Sequence, residues 1–197
     1  MKLKLWLLVV IIRGIWLCRV NILLRCKKGS LIEAMDKDNN TPLHLAIIGG
    51  HTHIAELILN QGSSNEALDN DGNSPLHLAV RSNNAGMVEL LLKKGALTKA
   101  IDKDNNTPLH LALKGGYTRI AELITSKLEG SPIDALDNDG NSPLHLAAER
   151  NYYDLVERLL IKGASSSTVN KNGQRPFSLT IPHTSAWYTF RNYGVYS

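Results

Sequence analysis

The 197-residue chain has only two cysteines, Cys18 and Cys26, both in its first segment. A disulfide framework or a zinc knuckle needs more thiols than that, so neither can be built within the chain, and a reducing compartment is the default. Aromatic residues are also scarce, at 6%. A sustained excess of charge is lacking too. The formal net charge is +4, but residues 1–35 hold seven Lys/Arg against one Glu, leaving 15 bases against 17 acids from residue 36 onward. The basic excess therefore sits at the N-terminal end and not along a recognition face, which argues against a nucleic-acid partner. The chain also lacks a Gly-x-Ser-x-Gly elbow, a phosphate loop, a His-Glu-x-x-His helix and a dinucleotide fingerprint. Without them, neither an enzyme nor a cofactor is expected. What remains, 43% hydrophobic and 20% charged residues, is the composition of a folded soluble chain and not of a disordered or collagen-like one.

What the sequence does contain is repetition. Thr41-Pro-Leu-His-Leu-Ala46 recurs as Ser74 to Ala79, Thr107 to Ala112 and Ser142 to Ala147, with a worn copy at Arg175 to Thr180. Each copy follows a polar, turn-forming cluster such as Asp36-Lys-Asp-Asn-Asn40 or Asp69-Asn-Asp-Gly-Asn73, and each near-consensus copy precedes a second apolar stretch such as Ile54 to Ile58. One period reads as a turn, a short helix, a tight reversal and a second helix. Thr or Ser offers an oxygen to the free amides of the first turn, and Pro suits the first helical position because its missing N–H had no partner there. Gly49-Gly50 and Gly115-Gly116 fall where the first helix must stop. Ile54, Leu57 and Ile58 recur at helical spacing and give the second helix one apolar face. Two helices this short cannot bury that face alone, whereas stacked neighbours can.

This pattern resembles the ankyrin repeat family over about residues 20–181. The resemblance implies an all-α ankyrin-repeat solenoid of helix-turn-helix repeats with β-hairpin fingers, and a role in binding other proteins without catalysis. A second layer of repetition is present. Residues 36–46 are identical to 102–112, and 68–79 to 136–147, so the array is a duplicated two-repeat unit, with two extra residues expected between Thr125 and Pro132. The expected organisation is a hydrophobic segment over 1–19, a degenerate half repeat over 20–35, four repeats over 36–169, and a degenerate repeat with an aromatic tail over 170–197.

By the resemblance, a protein partner is met by the finger tips and the exposed side of the first helices. The finger positions are Lys37, Asp38 and Asn40; Asn70, Asp71 and Asn73; Lys103, Asp104 and Asn106; and Asn138, Asp139 and Asn141. The helix positions are Ile48, Arg81, Ser82, Lys114, Glu149 and Arg150. The partner is unknown, and the chain itself is expected to be a monomer. Asp38, Asp71, Asp104 and Asp139 place one carboxylate at the same finger position in every repeat, an acidic row that either meets a basic partner or solvates the turns.

The two ends leave alternatives open. Lys2 and Lys4 precede the apolar run Leu5–Ile12, as in a secretory signal, but no small-x-small cleavage site follows. A span of about 20 residues from Leu5 would bury Arg13 and Arg19. Residues 1–18 thus read as a membrane-associating segment, a buried cap or a mis-assigned start. The location is correspondingly cytoplasmic or membrane-associated, and the near-identical duplicated units also look like those of proteins that intracellular bacteria export into hosts. In the tail, Trp187, Tyr188 and Phe190 either fold back over the open end of the core or form an aromatic hook for a ligand.

The histidines are not expected to bind metal. His44, His77, His110 and His145 recur one per repeat, too far apart to share an ion, and the resemblance gives them hydrogen bonds within and between repeats. His51-Thr-His53 has Tyr117 and Arg119 in its own duplicate, and His183 reads as a solvated tail residue. The Asp-Asn-Asp-Gly-Asn runs lack the glycine and terminal glutamate of a calcium loop and are read as turn chemistry.

Overall fold

A computed structural model of the chain describes residues 32–128 and 133–195. The expectations for residues 1–18, for most of the half repeat over 20–35 and for part of the two-residue insertion lie outside the described residues. The chain divides into two compact units, Met1–Ala96 and Leu97–Ser197. In the first unit the helices are α1 (Pro42–Ile48), α2 (Thr52–Asn60), α3 (Pro75–Arg81) and α4 (Ala85–Lys93). In the second they are α5 (Pro108–Gly115), α6 (Thr118–Ser126), α7 (Pro143–Glu149), α8 (Tyr153–Ile161), a 3-10 turn over Pro176–Leu179 and α9 (Ser185–Asn192). The described residues are all-helical and contain no strand.

The first helix of each repeat begins where the motif requires. Thr41, Ser74, Thr107 and Ser142 are extended N-caps, with proline in the first turn. The histidine three places on completes a reciprocal cap, a role usually filled by Glu or Gln. Thr41, for example, gives its backbone N–H to His44 Nδ1 at 3.0 Å and accepts the His44 N–H on Oγ1 at 3.4 Å. Reversals need one residue of positive φ. Gly50 and Gly116 supply it at 71° and 74°, whereas Asn83 and Asn151 do so in the other two repeats, at 49° and 55°. Asparagine tolerates this region because its short polar side chain bonds locally.

Within the first unit α1 packs on α2 and α3, and α4 on α3 and α2. In the second unit α5 packs on α6 and α7, α8 on α7 and α6, the 3-10 turn on α7, and α9 on α8. The most deeply buried side chains are Leu43, Ile47, Leu76, Met87 and Leu91 in the first unit, and Leu113, Ile120, Ile124, Leu144, Leu155 and Leu159 in the second; of the stripe Ile54, Leu57 and Ile58, Ile58 is buried and the other two are half-buried. Each deeply buried side chain contributes about 1.5–3 kcal/mol by leaving water. The aromatic tail folds back over the last repeat. Phe190 is fully buried and meets the Phe177 ring edge-on at 5.9 Å, and Trp187 is half-buried beside Phe177. Tyr188 stays exposed, and the exposed His183 ring lies 5.2 Å from Trp187.

The described fingers are hydrogen-bonded turns without the strands of a β-hairpin. The physical reason is that their amides go to a side chain and not to a ladder. Asp36 Oδ1 accepts the N–H groups of Asp38 and Asn40 at 2.9 and 2.8 Å, and one backbone bond, Asp36 N–H to the Asn40 carbonyl at 3.1 Å, closes the loop. Between neighbouring fingers the backbone contributes a bond from Asn70 N–H to the Asp38 carbonyl and another from Lys171 N–H to the Asp139 carbonyl, each 3.0 Å.

Candidate partner-binding surface

The finger geometry repeats closely. Asp69, Asp102 and Asp137 each accept the N–H groups two and four residues on, at 2.9 and 2.8 Å, as Asp36 does. The first aspartate of every finger is thus a structural clamp, and the two residues after it form the tip. Lys37, Asp38, Asn70, Asp71, Lys103, Asp104, Asn138 and Asp139 are all exposed. The asparagine that ends each finger behaves differently. Asn73 and Asn106 are buried, Asn40 and Asn141 are half-buried, and Asn40, Asn73 and Asn106 turn their amides back onto their own aspartate. Asn70 and Asn138 accept side-chain bonds from Asn39 and Asn105 of the preceding finger at 2.7 and 2.8 Å, so part of their capacity is spent holding fingers together.

The helix positions also divide. Ile48, Arg81, Ser82, Glu149 and Arg150 are exposed. Arg81 Nε reaches Asn73 Oδ1 at 3.2 Å, Ser82 Oγ bonds the Leu78 carbonyl, and Arg150 bonds the Lys114 carbonyl at 3.0 Å. Lys114 is half-buried and is committed to the fold. Its Nζ lies 2.7 Å from Asn106 Oδ1 and 2.9 Å from Asp137 Oδ2, whose side chain is fully buried. Burial works against the Asp137 charge, but the Lys114 ammonium and the N–H groups of Asn141 and Asp139 outweigh it and hold the carboxyl below its ordinary range. Only the structure reveals this pair, because its members lie in different repeats.

Two of the motif histidines, His110 and His145, link one repeat to the next. His110 Nδ1 accepts the Thr107 N–H at 3.2 Å, and Nε2 meets the Asn141 carbonyl at 3.1 Å; His145 Nε2 likewise meets the Gln174 carbonyl at 3.1 Å. An acceptor on one nitrogen and a donor on the other define the neutral ring with its proton on Nε2. Burial pushes His110 down to about 4, against the opposing pull of the Asn141 carbonyl and Asp137. His44 and His145 are lowered by burial in the same way. His44 faces the backbone of Asn73, yet its Nε2 falls outside hydrogen-bonding geometry.

One set of surface residues was missed by reading the motif alone. Met35, Leu68, Ile101, Leu136 and Val169 stand immediately before the clamp position of successive fingers, and all are 45–55% exposed. The signal was present as a large apolar residue at a fixed place in every period, immediately before the first aspartate or asparagine of each finger.

Among the described residues no group of His, Cys, Asp and Glu could hold a metal ion, and no helix is long and apolar enough to cross a membrane. A family model described as ankyrin repeats (3 copies) matches residues 15–102 and 97–172. A search of curated proteins finds no match. Ankyrin repeats generally mediate protein–protein interaction and are typically non-catalytic. With the paired helices, the reciprocal Thr/Ser-Pro-Leu-His caps and the clamped fingers in place, and with a match spanning most of its length, the chain belongs to the ankyrin repeat family.

Proposed function

We propose that the chain is a non-catalytic scaffold that binds a partner protein through its finger tips and the exposed side of its first helices. The observation that carries this reading is the division of labour within each finger. The clamp aspartate, the terminal asparagine and the motif histidine are turned into the fold, whereas Lys37, Asp38, Asn70, Asp71, Lys103, Asp104, Asn138 and Asp139, the two residues after each clamp, are exposed. Exposed side chains at the surface of a turn cost the fold less to vary than its buried clamps and caps, so they suit recognition. Asn73, Asn106 and Lys114 are better assigned to support than to direct contact.

The test is capture of a partner with the full chain, followed by comparison of wild type with a variant carrying Asp38, Asp71, Asp104 and Asp139 all as Asn. Loss of binding, with a slower and less salt-dependent association, supports the reading, because rim charges act chiefly on association rate. Unchanged binding with an intact fold counts against an acidic contact row. Membrane tethering of the same module is the alternative, carried by the apolar run Leu5–Ile12. Fractionation of the full chain with and without residues 1–18 decides between a free and a tethered scaffold.

A further inference from the structure

We infer that the finger edge of the second unit docks an amphipathic α-helix of a partner protein, one that presents apolar side chains seven residues apart with basic residues beside them. This rests on the protein-binding reading above and adds the chemistry of what is bound. Ile101, Leu136 and Val169 stand at the same position of three successive fingers and are 45–49% exposed. These fingers are held side by side by bonds from Asn105 to Asn138, from Asn170 to Asn141, and from Lys171 N–H to the Asp139 carbonyl. The three side chains therefore form a strip with a fixed step from finger to finger.

Exposure of a large apolar residue at one such position would be ordinary, but the same exposure at three adjacent equivalent positions makes a patch. Leu136 opens a block that repeats 68–79 exactly, but the apolar residue at Ile101 is not a by-product of duplication. Residues 102–112 repeat 36–46 without change, yet the position just before them is Met35 in one copy and Ile101 in the other. The residue has diverged while its apolar character has not.

Two features select the occupant. The first is spacing, since stacked repeats set helices about 8–10 Å apart. Seven residues of α-helix advance about 10.5 Å and return to nearly the same face. An extended strand returns to one face every two residues, at steps of about 6.6 or 13 Å, and matches the strip less well. The second feature is charge. Asp104 and Asp139 give their backbone N–H groups to the clamp and are exposed three residues after Ile101 and Leu136, in the same two fingers. A helix with a lysine or arginine next to each apolar contact meets both carboxylates at the same step.

The experiment is selection from a displayed library of 21-residue helical peptides, randomised on all faces, against the full-length wild-type chain. A counter-selection uses a variant carrying Ile101→Ser, Leu136→Ser and Val169→Ser. These side chains are half-exposed, so the variant is expected to keep wild-type helicity and melting, which circular dichroism checks. The expected result is enrichment of peptides with apolar residues seven apart and flanking bases. Their affinity should fall about a hundredfold in the variant, since completing the burial of each half-exposed side chain is worth about fivefold. With Asp104→Asn and Asp139→Asn instead, the same peptides should associate more slowly at low salt and about equally at high salt.

Enriched peptides that lack the seven-residue pattern, or that bind the serine variant as well as wild type, overturn the helix-docking inference and leave the protein-binding reading standing. Failure of the wild-type chain to enrich any peptide counts against both. If the serine substitutions instead convert a self-associated wild type into a monomer, measured by sedimentation, the occupant is a second copy of this chain and the inference is overturned.

Discussion

Acid should unfold this protein through its motif histidines before its carboxylates titrate. In the folded state His110 is neutral, accepting the Thr107 N–H on Nδ1 and bonding the Asn141 carbonyl through Nε2. Adding a proton to Nδ1 turns that acceptor into a donor aimed at another donor, in a site closed to water. Its folded value of about 4 against an ordinary 6.5 means that between those limits the unfolded chain takes up a proton that the folded chain refuses. Stability is therefore full above pH 6.5, falls as pH drops toward about 4, and gains no further loss from this group below that. At about 1.4 kcal/mol per pH unit, His110 alone is worth about 3 kcal/mol over the window. His44 and His145, lowered in the same direction, steepen the slope.

The assay is urea unfolding followed by circular dichroism at a series of pH values. His110→Gln, which cannot titrate, should be less stable than wild type by about 1–3 kcal/mol at pH 7.5 through its lost hydrogen bonds. That gap should close as pH approaches 4.5. A free energy of unfolding that stays level from pH 6.5 to 4.5, or parallel curves for the two proteins, would refute the reasoning.

Three further outcomes follow from the same geometry. Asp137→Ala should cost about 3 kcal/mol by urea titration, because it strands two backbone N–H groups and breaks the Lys114 pair at a buried position; Asp36→Ala, at a more exposed clamp without an ion pair, should cost about 1 kcal/mol. Leu109, 2% exposed, replaced by Asp should unfold the second unit, since an unpaired carboxylate in an apolar interface is expensive, and retained helicity and melting by circular dichroism would contradict the stacked-repeat account. Gly140→Ala should destabilise more than Gly62→Ala. Both glycines have positive φ, costing an alanine about 1 kcal/mol, but a Cβ at Gly140 would sit 3.0 Å from Lys171 N, whereas at Gly62 it meets nothing within 4 Å; equal melting temperatures for the two variants would show that the fingers are not in close contact.

Most of the helical framework was legible in the sequence because each start carries its own chemistry. Thr or Ser followed by Pro-Leu-His marks a cap, a first-turn proline and a reciprocal histidine within four residues, and no long-range information is needed to place α1, α3, α5 and α7. The reversals were half legible. Glycine marked two of them, while Asn83 and Asn151 took over the same left-handed position where no glycine pair was available to signal it. The exposed tips were also readable, since they sit between a fixed clamp and a fixed cap. What lay beyond the sequence was pairing between repeats. Lys114 looked like a surface contact until Asp137, 23 positions on, proved to be its buried counter-ion. The fingers lacked strands because a side-chain clamp, and not a ladder, satisfied their amides, and residue type alone does not show which of two acceptors an amide will choose.

The most direct test of the central claim, that the fingers meet a partner protein, is site-directed photo-crosslinking in the full chain. A photoreactive side chain replaces Asp104 or Asp139 at the tips, or Glu157 on the exposed face of α8. The account predicts that both tip positions crosslink to one and the same captured protein while position 157 yields none. Crosslinks from position 157 with none from the tips would contradict it.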